Sequence, residues 1–468
     1  MSDLLAYIRE GRTMTRSEKL RLIVQLSVPS ILAQISATVM FFIDYAMVGH
    51  LGEKATASVG LVETTTWLMG GLGMAVNMGF SVQVAHFIGA NDFENARRVL
   101  RQSLTCSFIW SLILSMAAVA IHSYLPFWLG GTADIAHDAS LYFMYIGVFG
   151  IFFQMEGLGA SMLKCSGNMK IPSALNIMMC CLDVAFNYFF IYIMDLGVVG
   201  AAYGTGMAEL ITAVLMLYFL LVRSDMLHLF KRTEEREKSN EERGKRGEHS
   251  FRPTADVVRT AFKIGAPMGL QHLLMGSAQI VGTIIVAPLG TVAIAANSMA
   301  ITVESLCYMP GFGIAEAATT LVGQGIGAGQ RLLTRSFAYM SVGLGIAVMT
   351  FMGVLMFIFA PELMAMMSPV EQIVSEGAAA LRIEAFAEPM FAASIVCNGI
   401  FLGAGDTLKP AMMSLASMWG VRLTLAYWLS QSHGLRGVWT AMAVELTFRG
   451  LIFLIRLCRG NWNKKLSA

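Results

Sequence analysis

Glycine and proline recur along this chain at a fixed interval. Pro29 pairs with Pro267, Gly52 with Gly290, Gly89-Ala90 with Gly327-Ala328, Gly167 with Gly405, and Pro172 with Pro410. Each pair lies 238 residues apart (327 − 89 = 238). Further on, Gly197 and Gly200 match Gly434 and Gly437 at 237. Gly and Pro punctuate local structure, so they mark where elements end or bend. So many matches at one offset identify two copies of one structural unit.

Each copy holds six apolar segments. In order they are 22–49, 58–88, 100–121, 138–162, 172–194 and 198–222, then 260–287, 293–325, 334–360, 377–402, 411–430 and 435–457. A helix crossing a bilayer needs ~20 apolar residues, and these segments supply them. The chain is 56% hydrophobic and 14% charged, with mean hydropathy +0.63. A soluble protein carries about 25% charged residues, so a soluble fold is excluded. The expected class is all-α integral membrane: twelve transmembrane helices in two six-helix lobes related by an internal parallel repeat. Six spans per copy is even, so the copies keep the same direction through the membrane. A site between rocking halves is the expectation for such a duplication.

The expected division is 1–222 for the N-lobe with an amphipathic N-terminus, 223–259 for a charged linker, and 260–468 for the C-lobe with a basic tail. The linker contains KRTEEREKSNEERGKRGEHSFR, mixed in sign and without apolar periodicity, which reads as solvated. Lys and Arg set the orientation. Arg9, Arg12, Arg16, Lys19 and Arg21 precede the first span, and Arg97, Arg98 and Arg101 follow the second. Residues 122–137 and 361–376 hold no Lys or Arg. Both termini are therefore expected in the cytoplasm, with the chain in the cell membrane. The polar, basic N-terminus does not read as a secretory signal. The 7 cysteines show no metal-ligand spacing and read as small core residues.

Charges inside the spans are few. Asp44 lies between Phe41-Phe42-Ile43 and Tyr45-Ala46-Met47. A charge at the centre of a spanning helix costs ~2.5–3.5 kcal/mol on insertion scales, so an acid there is a functional candidate by default. The plain alternative is a protonated side chain bonding a neighbouring helix. Asp44 matches Gly282 in the second copy, Asp183 matches Val421, and Asn187 matches Leu425. These polar groups therefore serve something only the first copy does. At 1.5 Å per residue, Asp44, Asn187 and Thr205 fall on one level, ~8–11 Å below the outer surface. Asp183 and Asn187 share one helix face, as do Thr205 and Glu209.

Two carboxylates, an amide and a hydroxyl form an all-oxygen set for H⁺ or Na⁺. Asp44, Asp183, Asn187 and Thr205 are the candidate coupling residues, and the same four are the candidate Na⁺ ligands. A hydrogen-bond network without ions is the structural alternative. The oxygens suit Na⁺, whereas the apolar flank of Asp44 suits proton uptake.

Glu63, Glu156, Glu209, Glu316, Gln271 and Met275 are the candidates for a substrate cavity. Glu304 shares the eighth span with Glu316. Glu384 and Glu388 flank a bend expected at Pro389, while Arg422 and the pair Glu445–Arg449 read as structural. His50 and His86 sit near helix ends and read as interfacial. The 34 Met and 28 Phe suit a pliable apolar cavity, although most serve packing and lipid contact.

The pattern VPSILAQ…IDYAMVGHLG, the Gly89-Ala90 break, GVVGAAYGT, GIFLGAGDTLKP and GLRGVWTA resembles the multidrug and toxic compound extrusion (MATE) family along essentially the whole chain. The resemblance implies a two-lobed pump that exchanges H⁺ or Na⁺ for organic, often cationic or amphipathic, compounds. It also implies a larger group that includes flippases for lipid-linked saccharides, the alternative function. In family terms Asp44 stands for the first-helix Asp and Thr205 for the sixth-helix Thr. An Asn-x-x-x-Asp pair is common in the fifth helix; here it reads Asp183-x-x-x-Asn187, with the order swapped. The NorM-type branch has a Glu in the seventh helix where this chain has Met275.

A flippase would want a strongly basic cavity, and the spans carry few Lys or Arg. No GxxxxGK[ST] motif is present, which argues against direct use of ATP. An enzyme would need clustered nucleophiles at one depth, and none is seen. The reading is a monomeric, non-enzymatic antiporter with no cofactor beyond its coupling ion. Its partners are small organic compounds and the lipid bilayer, with no nucleic acid.

Overall fold

The structure is a computed structural model that describes residues 4–229, 251–460 and 462–463. It is all helical, with no strand among the described residues. Ten helices are long and apolar enough to cross a bilayer. The pair Glu371–Ala385 and Glu388–Gly403, bent by 61°, makes an eleventh span. The helical stretch Leu408–Arg459 has 52 residues. At 1.5 Å per residue it would reach ~78 Å, against a hydrocarbon core of ~30 Å. It breaks at Gly434, whose φ of 58 and ψ of −136 end one span and begin the next. Arg422 then meets Met442, and Ser417 meets Glu445, as in an antiparallel hairpin. The described residues thus form twelve spans.

The first to sixth spans are Arg16–Gly49, Glu53–Gly89, Phe93–Ile121, Ala133–Cys165, Lys170–Ile193 and Gly197–Arg223. The seventh to ninth are Ala255–Leu289, Thr291–Gly327 and Arg331–Met367. The bent pair is the tenth, and the two arms on either side of Gly434 are the eleventh and twelfth. Most run several residues past the apolar windows of the sequence, because helix ends can carry charge outside hydrocarbon. The fifth and sixth spans each end in a π-helical turn, Phe189–Ile193 and Phe219–Arg223.

The repeat is visible in the backbone. Glu53–Gly89 and Thr291–Gly327 each have 37 residues. Gly52 (φ 110) matches Gly290 (φ 96), and Gly167 (φ 90) matches Gly405 (φ 74). At these breaks φ is positive, where a Cβ is strained and glycine is not.

The chain divides into two compact units, Ser36–Gly269 and Met1–Ile35 with Leu270–Ser467. The expected lobes followed the repeat alone. In the structure the first span begins in one unit and ends in the other, and the seventh does the same. The changeover comes shortly after Pro29 and Pro267, both inside helices. Proline removes a helical hydrogen bond and permits a bend there.

In the Ser36–Gly269 unit, Phe80, Val84, Leu100, Leu158, Met162, Met216 and Leu220 form the main core, joined by Val257 and Ala261. Between helices in lipid, close packing rather than water exclusion holds the bundle. A Cβ on Gly265 would lie 2.6 Å from the Ala75 carbonyl oxygen, so glycine is what lets these backbones meet. The linker is narrower than the sequence suggested. Leu227 is buried in this core, Arg97 donates to the Met226 carbonyl at 3.0 Å, and the seventh helix starts at Ala255. Residues 230–250 of the expected linker lie outside the described residues.

In the other unit, Ile314, Val322, Val396, Phe401, Phe453 and Trp462 lie in one core cluster. The short helix Leu4–Glu10 packs here, with Ile8 buried and its carbonyl accepting from Gln330. A Cβ on Gly313 would come within 2.7 Å of the Ile31 nitrogen, which ties the start of the first span to the eighth.

Candidate functional site

The Ser36–Gly269 unit gathers Asp44, Asp183 and Asn187. Asp183 and Asn187 are one turn apart on the fifth span and almost wholly buried, at 0% and 1% exposed. The Asn187 amide nitrogen donates to Asp44 Oδ1 at 2.9 Å and to Asp183 Oδ2 at 3.0 Å. One amide therefore bridges two carboxylates on different spans. Asp183 Oδ1 and Asn187 Oδ1 are buried and accept no hydrogen bond among the described residues. Thr205 on the sixth span faces Asp183. What acts on Asp44 is burial, the Asp183 carboxylate and the Asn187 amide, and no cationic side chain takes part among the described residues.

The sixth span reaches this point because Gly204 faces Asn187. A Cβ there would lie 2.7 Å from the Asn187 nitrogen and 2.9 Å from its Cα. The fifth and sixth spans meet this closely again at Gly200, where a Cβ would fall 2.8 Å from the Phe190 carbonyl. Small residues at a crossing are the usual means of bringing helix backbones together in lipid.

The remaining sequence candidates fall in three places. Glu63 accepts hydrogen bonds from the Tyr45 hydroxyl and, at 3.2 Å, from Trp67 Nε1. Glu209 is 4% exposed with Oε2 unpartnered among the described residues, and it lies within electrostatic range of Glu156 and Asp183. With the Asn176 amide turned to the orientation that satisfies both of its ends, its nitrogen donates to Glu156 Oε1 at 2.9 Å. Glu156 and Glu209 thus extend the Asp44–Asp183 cluster within the same unit. Glu316, Gln271 and Met275 belong to the other unit. There Gln34 donates to Glu316 Oε1 at 3.3 Å, and Met275 packs with Ala278, Met418 and Leu423.

The sequence reading missed Tyr142 on the fourth span. It lies in range of Asp44, Glu63 and Asp183 together. It also missed Gln154 and Asn77, whose side chains join at 2.7 Å, with Ser107 donating to Asn77 at 3.3 Å. A tyrosine in an apolar run carries no signal of its own. A polar residue buried among three helices shows its role only through its partners.

The MatE family model matches residues 29–189 and again 267–428. The two stretches start 238 residues apart (267 − 29), the interval of the glycine and proline repeat. A probable multidrug resistance protein NorM of Thermotoga maritima is 23% identical, over 95% of this chain and 93% of that protein. A multidrug resistance protein NorM of Burkholderia vietnamiensis is 24% identical over 90% of both. Among solved structures, MATE in complex with MaL6 superposes with TM-score 0.87 at 20% identity, covering 98% of this chain and 99% of that one. A MOP superfamily transporter from Pyrococcus furiosus, described as having a binding pocket of reversed polarity, gives 0.88 at 20% identity over the whole of both chains.

Proposed function

This chain belongs to the MatE family of multidrug efflux transporters, and from that premise we propose that it is a secondary antiporter exporting small organic cations or amphipathic compounds against H⁺ or Na⁺. The observation that carries the reading is the Asn187 amide held between Asp44 and Asp183, beside two buried oxygens that lack a donor among the described residues. Two carboxylates this close titrate as a pair, and a shared proton or a bound cation relieves their repulsion. Such a pair inside a span is costly unless it does something.

Of the two ions, H⁺ is the better supported. The two carboxylates share the Asn187 amide with no cationic side chain acting on Asp44 among the described residues, so one shared proton relieves their repulsion. If Na⁺ enters, Asp44, Asp183, Asn187 and Thr205 are the groups that would hold it. Ion and substrate then bind the same unit with opposed preference, and each weakens the other by the same factor. Alternating access turns that opposition into exchange across the membrane. The basic residues place both termini in the cytoplasm on this reading.

The experiment is resistance and dye efflux in cells carrying Asp44→Asn or Asp183→Asn. Asparagine keeps the shape and cannot take up or release a proton. A coupling free energy of ~1–3 kcal/mol corresponds to ~5–150-fold, and a loss in that range is expected with protein still in the membrane. Efflux at the parent level from Asp44→Asn would reduce Asp44 to a structural hydrogen-bond partner.

A further inference from the structure

The Leu270–Ser467 unit holds a second buried cluster, on different helices. Glu304 lies on the eighth span, Glu384 and Glu388 on the tenth, Arg422 on the eleventh, and Glu445 with Arg449 on the twelfth. Glu384, Glu388 and Glu445 are 0% exposed and Glu304 is 5% exposed. Arg449 is spent on Glu445, with both contacts at 2.8 Å, and the Ser417 hydroxyl adds a third bond at 2.6 Å. Arg422 makes no ion pair among the described residues; its guanidinium meets the Met442 sulfur at 2.6 Å. Its charge reaches Glu445, Glu304 and Glu384.

One free guanidinium therefore stands against three glutamates. Among the described residues, both carboxyl oxygens of Glu384 and both of Glu388 lack any hydrogen-bond partner. The other titratable groups in range of these acids are Cys307 and Tyr308 of the eighth span. The ninth span presents Gly353, where a Cβ would fall 3.1 Å from the Glu388 Cβ.

We propose that Glu384 and Glu388 form a second proton-binding site, lodged at the bend of the tenth span and separate from Asp44 and Asp183. Charge is the first argument. Ionised carboxylates buried without donors are among the costliest groups a protein can hold, and a proton removes the charge. A metal ion is the weaker answer, because Arg422 and Arg449 already bring positive charge and no metal-site geometry is found among the described residues.

Position is the second argument. The two acids flank the break at Phe386–Ala387, where the halves of the span diverge by 61°. The Ala387 nitrogen bonds the Glu384 carbonyl at 2.7 Å, and Pro389 sits in the first turn of the following helix. Each acid takes one proton from water as an O–H bond and returns it to water. Release requires solvent or Arg422 to reach the bare carboxylate, so protonation and bend angle are linked.

The test uses full-length protein reconstituted in lipid and infrared spectroscopy of the protonated-carboxyl carbonyl stretch. Parent protein at neutral pH is expected to show that band, shifted by D₂O, and the E384Q/E388Q variant is expected to lose the intensity of two acids. Asp44→Asn leaves this portion in place, which separates the proposal from the proposed N-terminal coupling site. Should the double variant fail to purify as a single species, Glu384→Gln and Glu388→Gln alone should each lose one acid. In ethidium efflux under a pH gradient, fewer protons should move per ethidium in E384Q/E388Q than in the parent. An unchanged band, a band that never exchanges with D₂O, its removal by Na⁺ at constant pH, or an unchanged proton count would each overturn the proposal.

Discussion

Asp183 and Val421 occupy the same place in the two repeats, and so do Thr66 and Glu304. The backbones of the halves agree closely, down to the 37-residue second and eighth spans and the positive φ at Asn91 (59) and Gly329 (73). Charges near the span ends recur, as at Arg21 and Arg259 or Arg97 and Arg335, but those buried within the spans do not. Asp44, Asp183, Asn187 and Glu209 match Gly282, Val421, Leu425 and Leu446. Glu384, Glu388, Arg422 and Glu445 match Ile146, Gly150, Val184 and Ala208. The fourth span is one continuous helix, whereas the tenth is broken beside its acids. Duplication thus preserved the punctuation and let the polar groups diverge. The first half holds acids bridged by an amide, and the second holds acids sharing too few guanidinium groups.

That contrast can be broken or sharpened by substitution, beginning with the largest effect. Arg449→Met leaves Glu445 buried without its cation, and removing one partner of a buried pair costs about 3–5 kcal/mol. A correspondingly large fall in the thermal midpoint of the purified protein is expected. A midpoint equal to the parent's would mean that the second half does not depend on its arginine, and the contrast with the first would lose its basis. Gly204→Ala comes next. It pushes a Cβ against the Asn187 backbone, whereas the second half already carries Ala441 at that place, opposite Leu425. Overpacking of this kind costs about 1–3 kcal/mol, and efflux should fall with stability. Full stability in Gly204→Ala would show that the Asn187 bridge tolerates a wider helix spacing than the structure has. Ser417→Ala is the smallest change. It removes one hydrogen bond to a charged group, about 1.5 kcal/mol, and the melt should shift modestly with efflux preserved. A collapse of efflux without a change in the melt would move Ser417 from support to function.

Much of this was legible in the sequence because membranes simplify the code. Apolar length marks each span, and Gly and Pro mark its ends, so the twelve spans and the repeat stand out. Asp44 was legible because a lone acid in an apolar run is rare, and the four-residue spacing of Asp183 and Asn187 put them on one face. Pro389 announced the bend in the tenth span. The assignment of helix halves to compact units was not legible. It depends on contacts such as Ile31 with Gly313, which join residues far apart in the chain. Tyr142 was hidden for the same reason, and nothing in the sequence set Arg422, which reads as structural, among Glu304, Glu384 and Glu445. The break at Gly434 lies inside one helical stretch, yet the repeat register had already placed it through Gly197.

The central claim is that Asp44 and Asp183, bridged by Asn187, couple export to protons. The direct measurement is ethidium efflux from proteoliposomes free of sodium, driven by an imposed pH gradient. The account predicts efflux that collapses with the gradient and falls by ~5–150-fold in Asp44→Asn. No efflux under the pH gradient, restored when a Na⁺ gradient is supplied, would contradict it.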